Sequence, residues 1–264
     1  MHVSGWATAG LVLAALAAGM VDAVAGGSGV IAVPALLAAG LPPHLALGTN
    51  KAQGVFGTCA STLRYARAGM LDAARARVTF PLGLAGSLVG AALVLLVPPA
   101  TLRPVVLVLL LAVAVVLALR PSPGVLMRRG SGRVAAEHQP LGTRAPRVVA
   151  AIVALVLGAY DGFFGPGAGT FLILAFAFLF QLPLQRASAD AKPVNFASNL
   201  AALVLFSTRG AVLWNIALPM AAAQFAGGWI GAHLAVRGGD RLVRVVVLLV
   251  VLALVSKLAA DLRA

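Results

Sequence analysis

Two acids stand in long apolar stretches of this 264-residue chain, and a cluster of glycines follows each. Asp22 precedes Gly26, Gly27, Ser28 and Gly29, and Asp161 precedes Gly165, Pro166, Gly167 and Gly169. After each cluster come a short apolar piece, a polar turn and a lysine. Asn50 and Lys51 close the first unit; Lys192 closes the second, with Asn195 and Asn199 just beyond. An ionisable group inside an apolar segment is expensive and is a functional candidate for that reason. A helix broken within a membrane leaves backbone N–H groups without partners, and with the helix dipole behind them they attract an anion. Glycine lets the backbone come close to such a ligand. The candidate substrate-binding residues are therefore Gly26, Gly27, Ser28, Gly29, Asn50, Lys51, Gly165, Gly167, Gly169, Lys192, Asn195 and Asn199. Asp22 and Asp161 either carry a coupling proton or cap the glycine-loop amides.

The two lysines are expected in or beside the first turn of the third helix of each unit. There a cation opposes the helix dipole, which makes sense if ammonium and amides together form a positive mouth for an anion. Lys51 would then lie near the outer face of the membrane and Lys192 near the inner one. The plainer alternative is a lysine snorkelling to the headgroups.

The elements that position these residues are duplicated. At an offset of 141, Lys51 meets Lys192, Gly69 meets Gly210, Gly86 meets Gly227 and Gly90 meets Gly231. Gly86, Gly90, Gly227 and Gly231 read as close-packing positions between helices. With 61% hydrophobic residues, 10% charged and a mean hydropathy of +1.01, the chain belongs in a bilayer. Its long runs lack strand alternation and read as helices. Apolar segments fall at about 6–25, 30–41, 51–66, 78–97 and 103–119, and again at about 147–164, 169–182, 192–208, 212–236 and 242–260. The second of each set is too short to cross the ~30 Å hydrocarbon layer as helix. Short segments beside glycine breaks, at matching places in two halves, point to a transporter's binding site. No lysine or arginine precedes the first apolar run, so we read it as a transmembrane helix and not a cleaved signal peptide.

The net charge of +13 follows from loop arginines, as the positive-inside rule produces, and does not imply nucleic acid. With the N-terminus outside and ten crossings, fifteen of the twenty basic residues fall on the cytoplasmic side. Equivalent loops of the two halves carry opposite biases: residues 64–77 hold four arginines while their partner loop holds only Arg209. The expected fold is an all-α polytopic membrane protein. Two inverted-topology repeats of five segments each (1–119 and 148–264) flank a cytoplasmic linker loop (120–147), and the second segment of each repeat is short and glycine-broken. One cysteine, Cys59, excludes an internal disulfide and a cysteine-based metal site. No metal, nucleotide or haem motif is present, and no cofactor is expected.

The pattern VDAVAGGSGVIAVPALLAAGLPPHLALGTNKAQGVFGT, with YDGFFGPGAGTFL and ASADAKPVNFASNLAAL in the second half, resembles the TauE/SafE family of membrane permeases. The resemblance spans essentially the whole chain. It implies a multi-pass protein of the bacterial cytoplasmic membrane that transports sulfur-containing anions such as sulfite, sulfonates or organosulfur acids, often outward. Its partners would be a small anion, the lipid bilayer and a coupling proton, with a homo-oligomer left open. Ser28 stands where the family pattern often has another glycine. Two other functions fit parts of the sequence. Ser28 within Gly26–Gly29 and His233 within GAHLAVRGG resemble the parts of a rhomboid-type intramembrane serine protease, though the second copy has no serine. A passive anion channel would share the same architecture.

Overall fold

The computed structural model describes residues 5–98, 100–102, 104–106, 108–109 and 144–261. Besides helical turns within 100–109, the described residues form α1 (Gly5–Ala25), α2 (Ser28–Ala38), α3 (Pro43–Arg67) and α4 (Ala73–Leu96), then α5 (Arg144–Phe163), α6 (Ala168–Leu179), α7 (Leu184–Thr208) and α8 (Trp214–Asp261). Most of the expected segment 103–119, all but 104–106 and 108–109, and most of the 120–147 linker lie outside the described residues, and 144–147 already belong to α5. The two last segments, expected at 212–236 and 242–260, are two helical stretches of α8 that meet at Gly239, whose φ of 63° and ψ of −162° are not helical.

α2 and α6 have 11 and 12 residues, or about 17 Å of helix each. Each starts directly after a glycine in the left-handed region, Gly27 at φ 97° and Gly167 at φ 81°. A side chain there would cost roughly 1–2 kcal/mol, which explains the glycines.

The third helices differ from expectation. α3 begins at Pro43 and α7 at Leu184, eight residues before Lys51 and Lys192. Pro42 and Pro183 stand at the two N-caps in extended conformation, and Pro43 supplies a preset first helical residue. The polar stretches that read as turns are helix whose polar faces point inward. Lys51 and Lys192 are thus each the ninth residue of their helix, beyond the reach of the N-terminal dipole. The expectation of a first-turn lysine is corrected.

α1, α4 and residues 146–163 of α5 are long and apolar enough to cross a membrane. α3 and α7 match them in length but carry most of the buried polar side chains among the described residues. Contacts pair the helices in a regular way. α1 lies parallel to α8: a Cβ added to Gly227 would stand 3.1 Å from Met20 N, and one added to Gly231 2.8 Å from Met20 Cα. α4 lies parallel to α5 in the same manner, with Gly86 against Ala159 N (2.9 Å) and Gly90 against Phe163 N (2.7 Å). These four glycines are packing residues, as their spacing suggested. α3 and α7 run antiparallel through the centre, with Gly48 against Phe206, Gly54 against Asn199, and Tyr65 beside Ser188.

Candidate functional site

The two helix breaks cross each other. Gly26 and Gly169 are in backbone contact: a Cβ on Gly169 would lie 2.8 Å from Gly26 Cα and 3.0 Å from Gly27 N. Gly29 packs on Pro166, and the Thr170 hydroxyl donates to the Gly26 carbonyl at 3.2 Å. The glycines of both clusters thus come together, as the sequence led us to expect of one site.

The freed backbone groups of the first break have partners. Asp22 Oδ1 accepts from the N–H groups of Gly27 (3.0 Å) and Ser28 (3.2 Å). The start of α2 therefore holds an anion already, the protein's own carboxylate. On the other side of the break, the Ala23 carbonyl accepts from the hydroxyls of Tyr65 (2.9 Å) and Ser188 (3.1 Å), and Ser188 also reaches the Val24 carbonyl at 3.0 Å.

The lysines are neither mouths nor snorkels. Lys51 is 1% exposed and Lys192 0%. Each is paired with the acid of the other half of the chain. Lys51 Nζ lies 2.7 Å from Asp161 Oδ1, and Lys192 Nζ lies 3.2 Å from Asp22 Oδ2 while also donating to the Asp22 carbonyl. Four charges buried around one crossing sum to zero. An unpaired charge in so dry a place would cost several kcal/mol, so the acids are needed for the lysines to exist there at all. From the ninth position of a 25-residue helix, each lysine sits about 6 Å to the N-terminal side of its helix midpoint. Because α3 and α7 are antiparallel, the two lie on opposite sides of the centre.

The asparagines line the same region. Asn50 Oδ1 accepts from Gln53 Nε2 at 3.2 Å, and Asn199 Nδ2 donates to the Asn195 carbonyl at 2.8 Å. Asn195 Oδ1 is buried without a partner and lies 3.1 Å from where a Gly169 Cβ would be. Asp161 Oδ2 and Gln53 Oε1 are likewise buried without partners. Buried polar atoms are nearly always bonded, so these mark where a ligand or water belongs.

His233 is turned to α3, where Arg64 Nε donates to its Nδ1 at 3.2 Å. That bond places it in the arginine-rich end of the bundle, engaged with Arg64 and not with Ser28.

Sequence reasoning missed a third buried ion pair. Arg75 at the start of α4 is paired with Asp190 on α7, both buried. Asp190 Oδ1 also accepts from Asp72 N–H at 2.8 Å, and the Arg75 guanidinium stands 4.7 Å from the centre of the Phe180 ring. At the opposite end, Thr49 Oγ1 accepts from Leu213 N–H at 3.1 Å. Thr49 and Asp190, like Asp72 and Leu213, are 141 residues apart. The signal was the offset itself, which sets an acid opposite a threonine.

Crossed helix breaks, helices packed through glycine, and buried charges neutralised between halves are the build of a membrane transporter. Residues 11–258 match the family model described as sulfite exporter TauE/SafE, and the chain belongs to that family. A probable membrane transporter protein, ORF9 of Sinorhizobium sp, is 37% identical over 251 residues, covering 95% of this chain and 92% of the relative. The probable membrane transporter protein YfcA of Escherichia coli (strain K12) is 34% identical over 251 residues, 95% of this chain and 89% of its own. YunE of Bacillus subtilis (strain 168), also a probable membrane transporter protein, is 26% identical over 84% of this chain and 86% of its own. No solved structure matches the chain. The protein is a multi-pass membrane protein of a transporter family and not an enzyme, which sets aside the Ser28/His233 protease reading.

Proposed function

We propose that this protein is a secondary transporter of small sulfur-containing anions, such as sulfite, a sulfonate or a related organosulfur acid, across the bacterial cytoplasmic membrane, chiefly outward. The two halves act as inverted-topology repeats that alternate access to a site at the glycine crossing. The observation that carries this reading is the exchange of charge partners, Lys51 with Asp161 and Lys192 with Asp22, around two crossed helix breaks. A site that neutralises itself when empty is stable without cargo, and a lysine released from its acid is an anion ligand. The antiparallel course of α3 and α7, and the matched bonds at Thr49 and Asp190, support the inverted arrangement. The sulfur anion follows from the family description, and its oxyanion oxygens suit ammonium and amide donors.

The test is the thermal stability of the purified protein against sulfite, thiosulfate, methanesulfonate, chloride and phosphate. A ligand at 100 times its Kd adds about 2.7 kcal/mol to the folded state and raises the melting temperature. Stabilisation by sulfite or the sulfonate, and not by chloride or phosphate, is expected. Stabilisation by phosphate or chloride alone would overturn the cargo assignment. Accumulation of the stabilising anion against its gradient in proteoliposomes is expected of a coupled transporter and not of a channel.

A further inference from the structure

Asp22 and Asp161 hold matching places in the sequence but not in their surroundings. Donors reach both oxygens of Asp22: the N–H groups of Gly27 and Ser28 at Oδ1, and Lys192 at Oδ2. Asp161 receives one donor, Lys51 at Oδ1, and its Oδ2 is buried with nothing bonded to it. A carboxyl oxygen at which donors already point has no place for a proton, whereas an oxygen with no donor aimed at it has one.

The charged groups that face Asp161 are few. α3 contributes Lys51, and α7 contributes Lys192, itself taken by Asp22 of α1. α6 has no titratable residue, and α4 presents Ser87 and glycines to α5, its Arg75 being paired with Asp190 of α7. The neighbouring Tyr160 hydroxyl donates to the Pro166 carbonyl at 2.7 Å and is turned away.

We infer that Asp161 is the proton-carrying residue of the transporter and Lys51 the anion ligand it controls, whereas Asp22 and Lys192 form a fixed structural clamp. A proton taken by Asp161 Oδ2 converts the carboxylate to a carboxylic acid. Lys51 remains an ammonium and is left without a counter-charge. A monoanion then fills that place beside Gly165, where a Cβ would lie only 3.0 Å from Lys51 Nζ. Loss of the proton restores the Lys51–Asp161 pair and expels the anion. One proton and one monoanion thus bind and leave together, and the cycle moves no net charge. An acid formed inside the cell leaves with its own proton when its gradient exceeds the proton gradient.

The inference rests on the transport reading, and the test separates the two. Infrared spectra of the purified full-length protein are followed from neutral to acidic pH in wild type, Asp22→Asn, Asp161→Asn and the charge-neutral double variant Lys51→Gln/Asp161→Asn. A buried protonated-carboxyl band is expected in wild type and in Asp22→Asn. Asp190 is a second buried carboxyl that can contribute to the band, so the Asp161 component is read as the loss from wild type in Asp161→Asn and in the double variant, which keeps the measurement valid if the single variant fails to fold. A band undiminished in both Asp161 variants overturns the inference. Methanesulfonate, which stays ionised throughout this range, is then the probe in proteoliposomes holding a pH dye. Wild type should take up protons with the sulfonate, whatever the membrane potential. Methanesulfonate flux without proton movement also overturns the inference. The absence of any sulfonate flux beside an intact Asp161 band removes the cargo assignment and leaves the proton site standing.

Discussion

The α-carbon of Gly26 lies 2.8 Å from the place a side chain on Gly169 would occupy, so the two helix breaks touch backbone to backbone. The contact joins the two halves at the level of the buried lysines. Gly26 also has φ 75°, so Gly26→Ala meets both a strained backbone and an occupied space. We expect it to cost about 1–2 kcal/mol in backbone alone, and more from the displaced α6. Gly40→Ala is the control: its φ is 87°, but nothing lies within 4 Å of its added Cβ. Thermal unfolding in detergent should show a much larger loss for Gly26→Ala. Equal losses would mean that the crossing has no tight contact.

The clamp and the switch differ in what their removal does. Lys192→Met leaves Asp22 buried and unpaired, which should cost roughly 3–5 kcal/mol. Asp22→Asn in the same chain removes the second charge, and a good part of that stability should return. The measurement is a double-mutant cycle by thermal or denaturant unfolding. Additive losses, with no recovery in the double variant, would show that the 3.2 Å pair is not coupled.

Much of this site was legible in the chain. The glycine clusters and the acids before them were read as parts of one site and lie together at the crossing, whereas the lysines were read near opposite faces and instead pair with those acids. The cap formed by Asp22 was also one of the two roles open to it. The register of the lysines was not legible. Hydropathy takes a polar stretch such as residues 43–50 for a turn, whereas here Thr49 and Asn50 are buried on the inner face of a helix that starts at Pro43. The charge exchange was hidden for a different reason. Lys51 and Asp161 are 110 residues apart, and no local pattern states which half supplies a partner.

The two ends of the bundle are closed by different means. Arg75, Asp190 and Phe180 close the arginine-rich end; Thr49 and Leu213 occupy the matching place at the other. Asp190→Asn should therefore loosen one end only. In a Cys59→Ala background, Ser188→Cys reports on this end, since Ser188 is fully buried beside the break. A membrane-impermeant maleimide applied from the arginine-rich side should label it several-fold faster once Asp190→Asn is added. Thr49→Ala, at the other end, should leave that rate unchanged. Equal acceleration by both would mean that the ends are not independently held.

The last prediction concerns orientation. The structure removes two residues from the charge count that sets topology, because Lys51 and Lys192 are buried at the centre and paired. The remaining basic residues of the sequence then divide fourteen to four on the expected topology, against fifteen to five before. Contacts also gather several of the majority at one end. Arg64 meets His233, the Arg67 guanidinium lies 5.2 Å from the Trp229 ring centre, and Gln185 N–H donates to Asp240 at 3.1 Å. These bonds tie the connections around residues 64–77, 180–186 and 237–244 to a common side, which the positive-inside rule assigns to the cytoplasm. On the proposed five crossings in each half, both termini are expected outside. A reporter active only in the cytoplasm should be silent when fused after Ala264 and active when inserted within residues 120–143. Activity at Ala264 would mean an even number of crossings in the second half, and the inverted arrangement would fall with it. Replacing Arg64, Arg67 and Arg77 with glutamine should weaken the orientation, seen as mixed reporter activity. Lys51→Gln should leave it unchanged, because a lysine paired inside the bundle is not available to the anionic headgroups.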